Sequence, residues 1–139
     1  MCIGNRDGGD DGVGPFIGDF LKNDFTVIDA GIIPENYTSV VKKHNPKNLI
    51  IIDAVDMGLD HGEVRLVPKE KIGKMHISTH GIPISVLIDY LEQYISKIFF
   101  IGIQPKTMSG SLTDVVKKSG EKVANLIKNK KLDEIEKLK

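Results

Sequence analysis

At 139 residues and 15.3 kDa the chain can bury one sizeable core and has no room for a second catalytic domain. Apolar residues at 40% and charged residues at 27% exclude a disordered or fibrous chain, and a single cysteine excludes a disulfide scaffold. A formal charge of zero argues against nucleic acid or an anionic membrane as partner, and no apolar run approaches the ~20 residues of a membrane span, so a reducing cytoplasm is the expected compartment.

In chain order, Met1–Ile3 reads as a strand stub, shorter than the about five residues a parallel strand usually has. A loop rich in glycine and aspartate follows, from Gly4 to Gly14, and then Val13, Phe16, Ile17, Phe20 and Leu21 recur at helical spacing. Phe25–Ala30 (FTVIDA) predicts a second strand; Tyr37, Val40 and Val41 a helix; Leu49–Ala54 (LIIIDA) a third strand. These runs are rich in Ile, Val and Phe and nearly unbroken, as expected of parallel strands covered on both faces. Glu63–Val67 alternates polar and apolar residues after His61-Gly62 and reads as a half-exposed strand, an antiparallel edge. Ile84, Leu87, Ile88, Leu91 and Ile95 then mark a helix, Lys97–Gln104 (KIFFIGIQ) the last strand, and Leu112 to Ile127 the last long helix. Residues 128–139 predict a frayed or amphipathic helical tail with a solvated face. Alternating strands and helices give one α/β domain over residues 1–139, a three-layer α/β/α sandwich on a mostly parallel sheet. Charge is unevenly spread: ten acidic and five basic side chains fall in the first 62 residues, five and nine in the last 34.

In an open α/β sheet, ligands bind beyond the carboxyl ends of the strands, so the polar residues there are the candidates. Five glycines surround Asp7, Asp10 and Asp11 in the first loop. The glycine spacing is not that of a dinucleotide fingerprint, and three carboxylates would repel a pyrophosphate. They suit a cation, which compensates their mutual repulsion. Capping of the helix near Val13 accounts for one of Asp10 and Asp11 but not both. Asp29 ends the second strand, and Asp53 ends an Ile-rich one, where an unpartnered carboxylate is expensive. His44 and His61 read as surface residues and Cys2 as a small buried one. His80 precedes a Gly-Ile-Pro helix start, after Ser78 and Thr79. Two carboxylates and one imidazole from three loops make a first shell for a borderline divalent metal. No H-E-x-x-H, C-x-x-C or G-x-S-x-G motif is present.

The sequence resembles the hydrogenase maturation endopeptidases, which trim the C-terminus of the large subunit of nickel-iron hydrogenases. The resemblance is carried by Ile3-Gly4-Asn5 with Gly9-Asp10-Asp11-Gly12-Val13-Gly14, by Val27-Ile28-Asp29-Ala30-Gly31 with Pro34-Glu35-Asn36, and by Ile52-Asp53-Ala54-Val55-Asp56-Met57-Gly58. It continues through Gly62-Glu63, Ser78-Thr79-His80 and Phe100-Ile101-Gly102-Ile103-Gln104-Pro105, in collinear order. Asp-Met-Gly and Gly-Ile-Gln-Pro are most similar to the hydrogenase 3-type branch. The resemblance implies a peptide hydrolase whose metal ligands are Asp11, Asp53 and His80, with Asp29 in a supporting position. It further implies that Ni²⁺ arrives with the large-subunit precursor, with Zn²⁺ or Cd²⁺ as substitutes in vitro, and that a short C-terminal peptide is removed after nickel insertion. A non-catalytic nickel sensor or chaperone for hydrogenase assembly would use the same ligands. The chain departs from the family in its short first strand and in a short segment, residues 106–110, after Pro105.

Overall fold

The computed structural model describes residues 1–73, the backbone of residues 76 and 77, and residues 81–139. Ser78, Thr79 and His80 therefore lie outside the described residues, as does the side chain of His76. Strand β1 (Cys2–Ile3) leads through a 3-10 turn (Gly9–Gly12) into helix α1 (Val13–Leu21). Strand β2 (Asp29–Gly31), a second 3-10 turn (Pro34–Tyr37), helix α2 (Thr38–His44) and strand β3 (Asn48–Asp56) follow. Then come β4 (Val64–Leu66), the one-turn helix α3 (Lys69–Ile72), β5 (His76–Ile77), α4 (Ile84–Leu91), β6 (Lys97–Ile103) and α5 (Asp114–Lys128).

The sheet order is β2-β1-β3-β6-β4, parallel except for β4, which pairs antiparallel with β6 as the expected edge strand. β3 and β6 form the spine, in register from Asn48 opposite Lys97 to Ala54 opposite Ile103. Alternation along β3 sends Leu49, Ile51 and Val55 to one face and Ile52 and Ala54 to the other. The first face is covered by α2 and α4 through Val41, Ile84, Leu87, Ile88 and Leu91. The second is covered by α1 and α5 through Val13, Ile17, Val116, Val123 and Ile127. Those spacings of three and four residues are what put each set on one helical face. α1 and α5 also touch directly: Gly120 lies so close to Phe16 that a Cβ there would be 2.9 Å from the ring. The three layers expected from the sequence are present.

Three boundaries differ from expectation. Phe25–Ile28 is not in the sheet, apart from an Ile28 carbonyl that accepts from Cys2 N–H at 2.8 Å, because the two-residue β1 offers nothing longer to pair with. Phe25 is accordingly 39% exposed. β3 runs two residues beyond Ala54, since β5 pairs antiparallel with Val55 and Asp56. The tail is not a continued helix: after α5 it makes a 3-10 turn (Leu132–Glu134), buries Ile135, and lies parallel along the open edge of β4. Leu66 N–H donates to the Glu136 carbonyl and Leu138 N–H to the Leu66 carbonyl, both at 2.9 Å. An edge strand left bare is a template for association, and this segment covers it. Among the described residues no helix is long and apolar enough to cross a membrane.

Removing residues 132–139 is expected to destabilise the fold by about 2–3 kcal/mol, from one buried isoleucine and two ladder hydrogen bonds. Thermal unfolding followed by circular dichroism should show a Tm lower by roughly 6–15 °C. An unchanged Tm would mean that the tail only frays in solution.

Candidate active site

Asp53 lies inside β3, opposite Gly102 of β6 and in line with Ile51 and Val55, so it faces the layer formed by α2 and α4. It is fully buried, and among the described residues neither carboxylate oxygen has a hydrogen-bond partner of good geometry, only the adjacent Ala54 N–H lying near it. Burial first, and then the charge of Asp11, push its carboxyl well above the usual carboxylate range; the Ala54 N–H offsets this only in part. Gly102 leaves the adjoining position without a side chain, where a Cβ would crowd Met57, Val67 and Val55 within 3.3 Å.

Asp11 stands in the 3-10 turn after β1, near enough for its charge to act on Asp53. Gly4 adopts φ +141°, and its Cα sits so tightly against the Asp11 carbonyl that no side chain fits there. The Asn5 N–H donates to Asp11 Oδ2 at 2.9 Å, and the carboxylate is buried. Its neighbour Asp10 does different work. Asp10 Oδ2 accepts the N–H groups of Lys106 (2.8 Å) and Thr107 (3.1 Å), and Oδ1 accepts the N–H (2.7 Å) and hydroxyl (3.0 Å) of Thr113. Burial opposes ionisation of Asp10, but these donors outweigh it and hold its carboxyl below the usual range. Neither aspartate caps α1 with its side chain. The paired carboxylates thus divide: Asp10 ties the loop after β6 to the first loop, and Asp11 takes the Asn5 N–H with its charge near Asp53.

The loop after β3 is fixed by Gln104. Its Oε1 accepts the N–H groups of Met57 (2.7 Å) and Leu59 (3.3 Å), and its Nε2 donates to Asp56 Oδ1 at 3.1 Å. Sequence reasoning quoted Gln104 in a motif without a role; a buried amide at a strand end, facing a loop of free N–H groups, is the signal that identifies it. Asp29 pairs on the surface with Arg6, whose guanidinium donates to Asp29 Oδ2 at 2.8 Å and to both oxygens of Asp19 at 2.8 and 3.0 Å. His44 and His61 are exposed and Cys2 is buried, as expected. The structure thus brings Asp11 and Asp53 together, while Asp29 faces Arg6 and His80 is outside the described residues. Among the described residues no group of three such donors forms a metal cluster. An unbonded buried carboxylate beside a second one is a donor set that fits a cation.

The model of the family described as hydrogenase maturation protease matches residues 19–130. The hydrogenase 3 maturation protease of Escherichia coli (strain K12) is 40% identical over 110 residues, which cover 76% of this chain and 70% of that protein. The solution structure of the endopeptidase HycI from Escherichia coli matches at a TM-score of 0.91 with 33% identity, over 99% of this chain and 94% of that one. The crystal structure of the [NiFe] hydrogenase maturation protease HycI from Thermococcus kodakarensis KOD1 matches at 0.81 with 27% identity, over 94% and 88%.

The two aspartates should respond to pH in opposite senses. In the metal-free chain the folded state keeps the Asp53 proton after the unfolded state has lost it, so this group increasingly favours unfolding as pH rises above the ordinary carboxylate range. Metal-free Asp53→Asn should therefore melt above the wild type at neutral pH, with the gap closing on acidification. Asp10 loses its proton more readily folded than unfolded, so its contribution is present above the ordinary carboxylate range and fades as pH falls. Asp10→Ala should lose about 2–4 kcal/mol at neutral pH, from buried donors left unpaired, and less in acid. Denaturant midpoints of the three proteins across pH check both.

Proposed function

The chain belongs to the hydrogenase maturation protease family, and from that premise we propose that it removes a C-terminal peptide from the cytoplasmic precursor of a nickel-iron hydrogenase large subunit once nickel has been inserted. It is a peptide hydrolase, as the proteins it is most similar to are named. Nickel enters as part of the substrate, read by Asp11, Asp53 and His80.

The observation that supports this reading is the state of Asp53. A structural aspartate so deeply buried would be hydrogen-bonded like Asp10, whereas among the described residues Asp53 meets no donor in good geometry and has the charge of Asp11 acting on it. A dication between them would neutralise both carboxylates and supply the missing contacts. Oxygen and nitrogen donors suit a borderline divalent ion but select poorly by affinity alone, so Zn²⁺ or Cd²⁺ in a purified sample would stand in for Ni²⁺. Two carboxylates and one imidazole, with no thiolate, form an incomplete shell that holds nickel weakly alone. A precursor carrying nickel on its own thiolates completes that shell, which makes the metal the specificity element. Held there, a divalent ion would supply Lewis-acid chemistry, either to the scissile carbonyl or to an attacking water. The roles of Asp10 and Gln104 are to hold the flanking loops to the sheet, so that the ligands need not reorganise on binding.

Three substrates test the reading by mass spectrometry: nickel-loaded precursor, nickel-free precursor, and a free peptide spanning the cut. Only the first should lose its C-terminal peptide. Efficient cleavage of the isolated peptide would mean that sequence, not nickel, is read; a stable complex with the loaded precursor and no cleavage would identify a sensor. Asp53→Asn and His80→Ala should each lower processing of the loaded precursor by at least about 100-fold. His44→Ala, at the exposed end of α2 beside the amino end of β3, should process normally.

A further inference from the structure

Glu35 is not among the expected ligands, yet its carboxylate reaches the segment that immediately follows His80. It sits in the 3-10 turn after β2, where Pro34 is buried, Asn36 N–H donates to the Ile33 carbonyl at 3.2 Å and the Thr38 hydroxyl to the Glu35 carbonyl at 3.3 Å. That turn is tied to the first loop through β2, since Gly4 N–H donates to the Gly31 carbonyl at 2.9 Å, one residue before Asn5 holds Asp11. From this base Glu35 Oε1 accepts the Ile82 N–H at 3.3 Å. Gly81 packs directly on the carboxyl: a Cβ there would fall 1.7 Å from Oε1 and 2.4 Å from Cδ. Glu35 Oε2 is buried, and among the described residues no hydrogen bond reaches it. Among the described residues Glu35 forms no ion pair, and its carboxylate meets Gly81 and Ile82.

We propose that Glu35 is a positioning residue of the site, its side chain clamping Gly81–Ile82, the two residues that follow the expected ligand His80 in sequence. The inference rests on the metal reading given above. It assigns the work to reach and hydrogen bonding: the turn after β2 is part of the same hydrogen-bonded frame as Asp11, so a side chain of glutamate length spans from that frame to the start of α4. Shortening the side chain releases the segment; replacing the carboxylate by an amide of equal length keeps the acceptor oxygen on Ile82.

The test is titration calorimetry of the purified, metal-free chain with Ni²⁺ alone, on the wild type and on Glu35→Ala, Glu35→Asp, Glu35→Gln and Asp53→Asn, with Tm recorded for each metal-free protein. Glu35→Ala and Glu35→Asp should bind Ni²⁺ about 10- to 100-fold more weakly, the usual consequence of removing support behind a metal ligand. Their metal-free Tm should stay within a few degrees of wild type, and Glu35→Gln should bind within about threefold of it. Wild-type affinity in Glu35→Ala, with affinity lost in Asp53→Asn, overturns the role of Glu35 and leaves the metal site standing. Affinity retained in Glu35→Asp but lost in Glu35→Gln overturns it as well, because charge and not reach would then matter. Wild-type affinity in Asp53→Asn overturns the metal reading and this inference together. Should Glu35→Ala fail to fold, the Asp and Gln variants decide the question.

Discussion

A carboxylate buried in the middle of a parallel sheet, with no well-formed hydrogen bond to it from the described residues, is the constraint around which this molecule is arranged. Asp53 occupies a position that an isoleucine or valine would fill without penalty, between Ile51 and Val55 on the face covered by α2 and α4. The chain tolerates it because the strand that carries it is paired on both sides, with β6 over seven consecutive residues and with β1 at Ile52. Both apolar faces are covered, so the backbone cannot yield to expose the group. The site is therefore a local conflict held in place by the surrounding core, which is the usual arrangement where burial and charge are turned to chemistry.

The neighbouring pair Asp10-Asp11 shows how one short turn serves two ends. In a 3-10 turn adjacent side chains diverge, so two consecutive aspartates point at different partners. Asp10 collects four donors from residues 106, 107 and 113, nearly a hundred positions away, and closes the loop after β6 over the first loop. Asp11 takes the Asn5 N–H and puts its charge near Asp53. Gln104 does for the loop after β3 what Asp10 does for the loop after β6. Both are buried polar groups whose hydrogen-bonding capacity is used on backbone N–H groups that no strand or helix would satisfy. Rigidity at the carboxyl edge of the sheet comes from these two residues more than from secondary structure, since the strands end there.

Charges away from this edge act differently. Arg6 with Asp19 and Asp29, and Lys69 with Asp89 and Glu92, are about half exposed, and pairs of that kind contribute little to stability. The acidic excess of the first 62 residues therefore resolves into two populations. Asp10, Asp11 and Asp53 are buried. Asp7, Asp24 and Asp60 are solvated. Net charge does not distinguish them; burial does.

The sequence by itself determined the layers, the edge strand and the candidate ligands, because periodicity of apolar residues reports which face of an element is buried, and alternation with helices makes the strands parallel. Membership of the family was legible for a similar reason: glycine and aspartate at strand ends answer to local backbone demands that leave a collinear trace. Tertiary structure alone decided the rest. That Phe25–Ile28 stays out of the sheet depends on how few residues β1 offers. That the tail leaves its helix depends on an open edge on β4, some seventy residues earlier in the chain. That Asp10 gathers the loop after β6, that Asp53 is buried beside the charge of Asp11, and that Glu35 meets Gly81 depend on contacts between segments far apart in the chain. Local pattern fixes what each segment presents; only the packed chain fixes what each side chain meets.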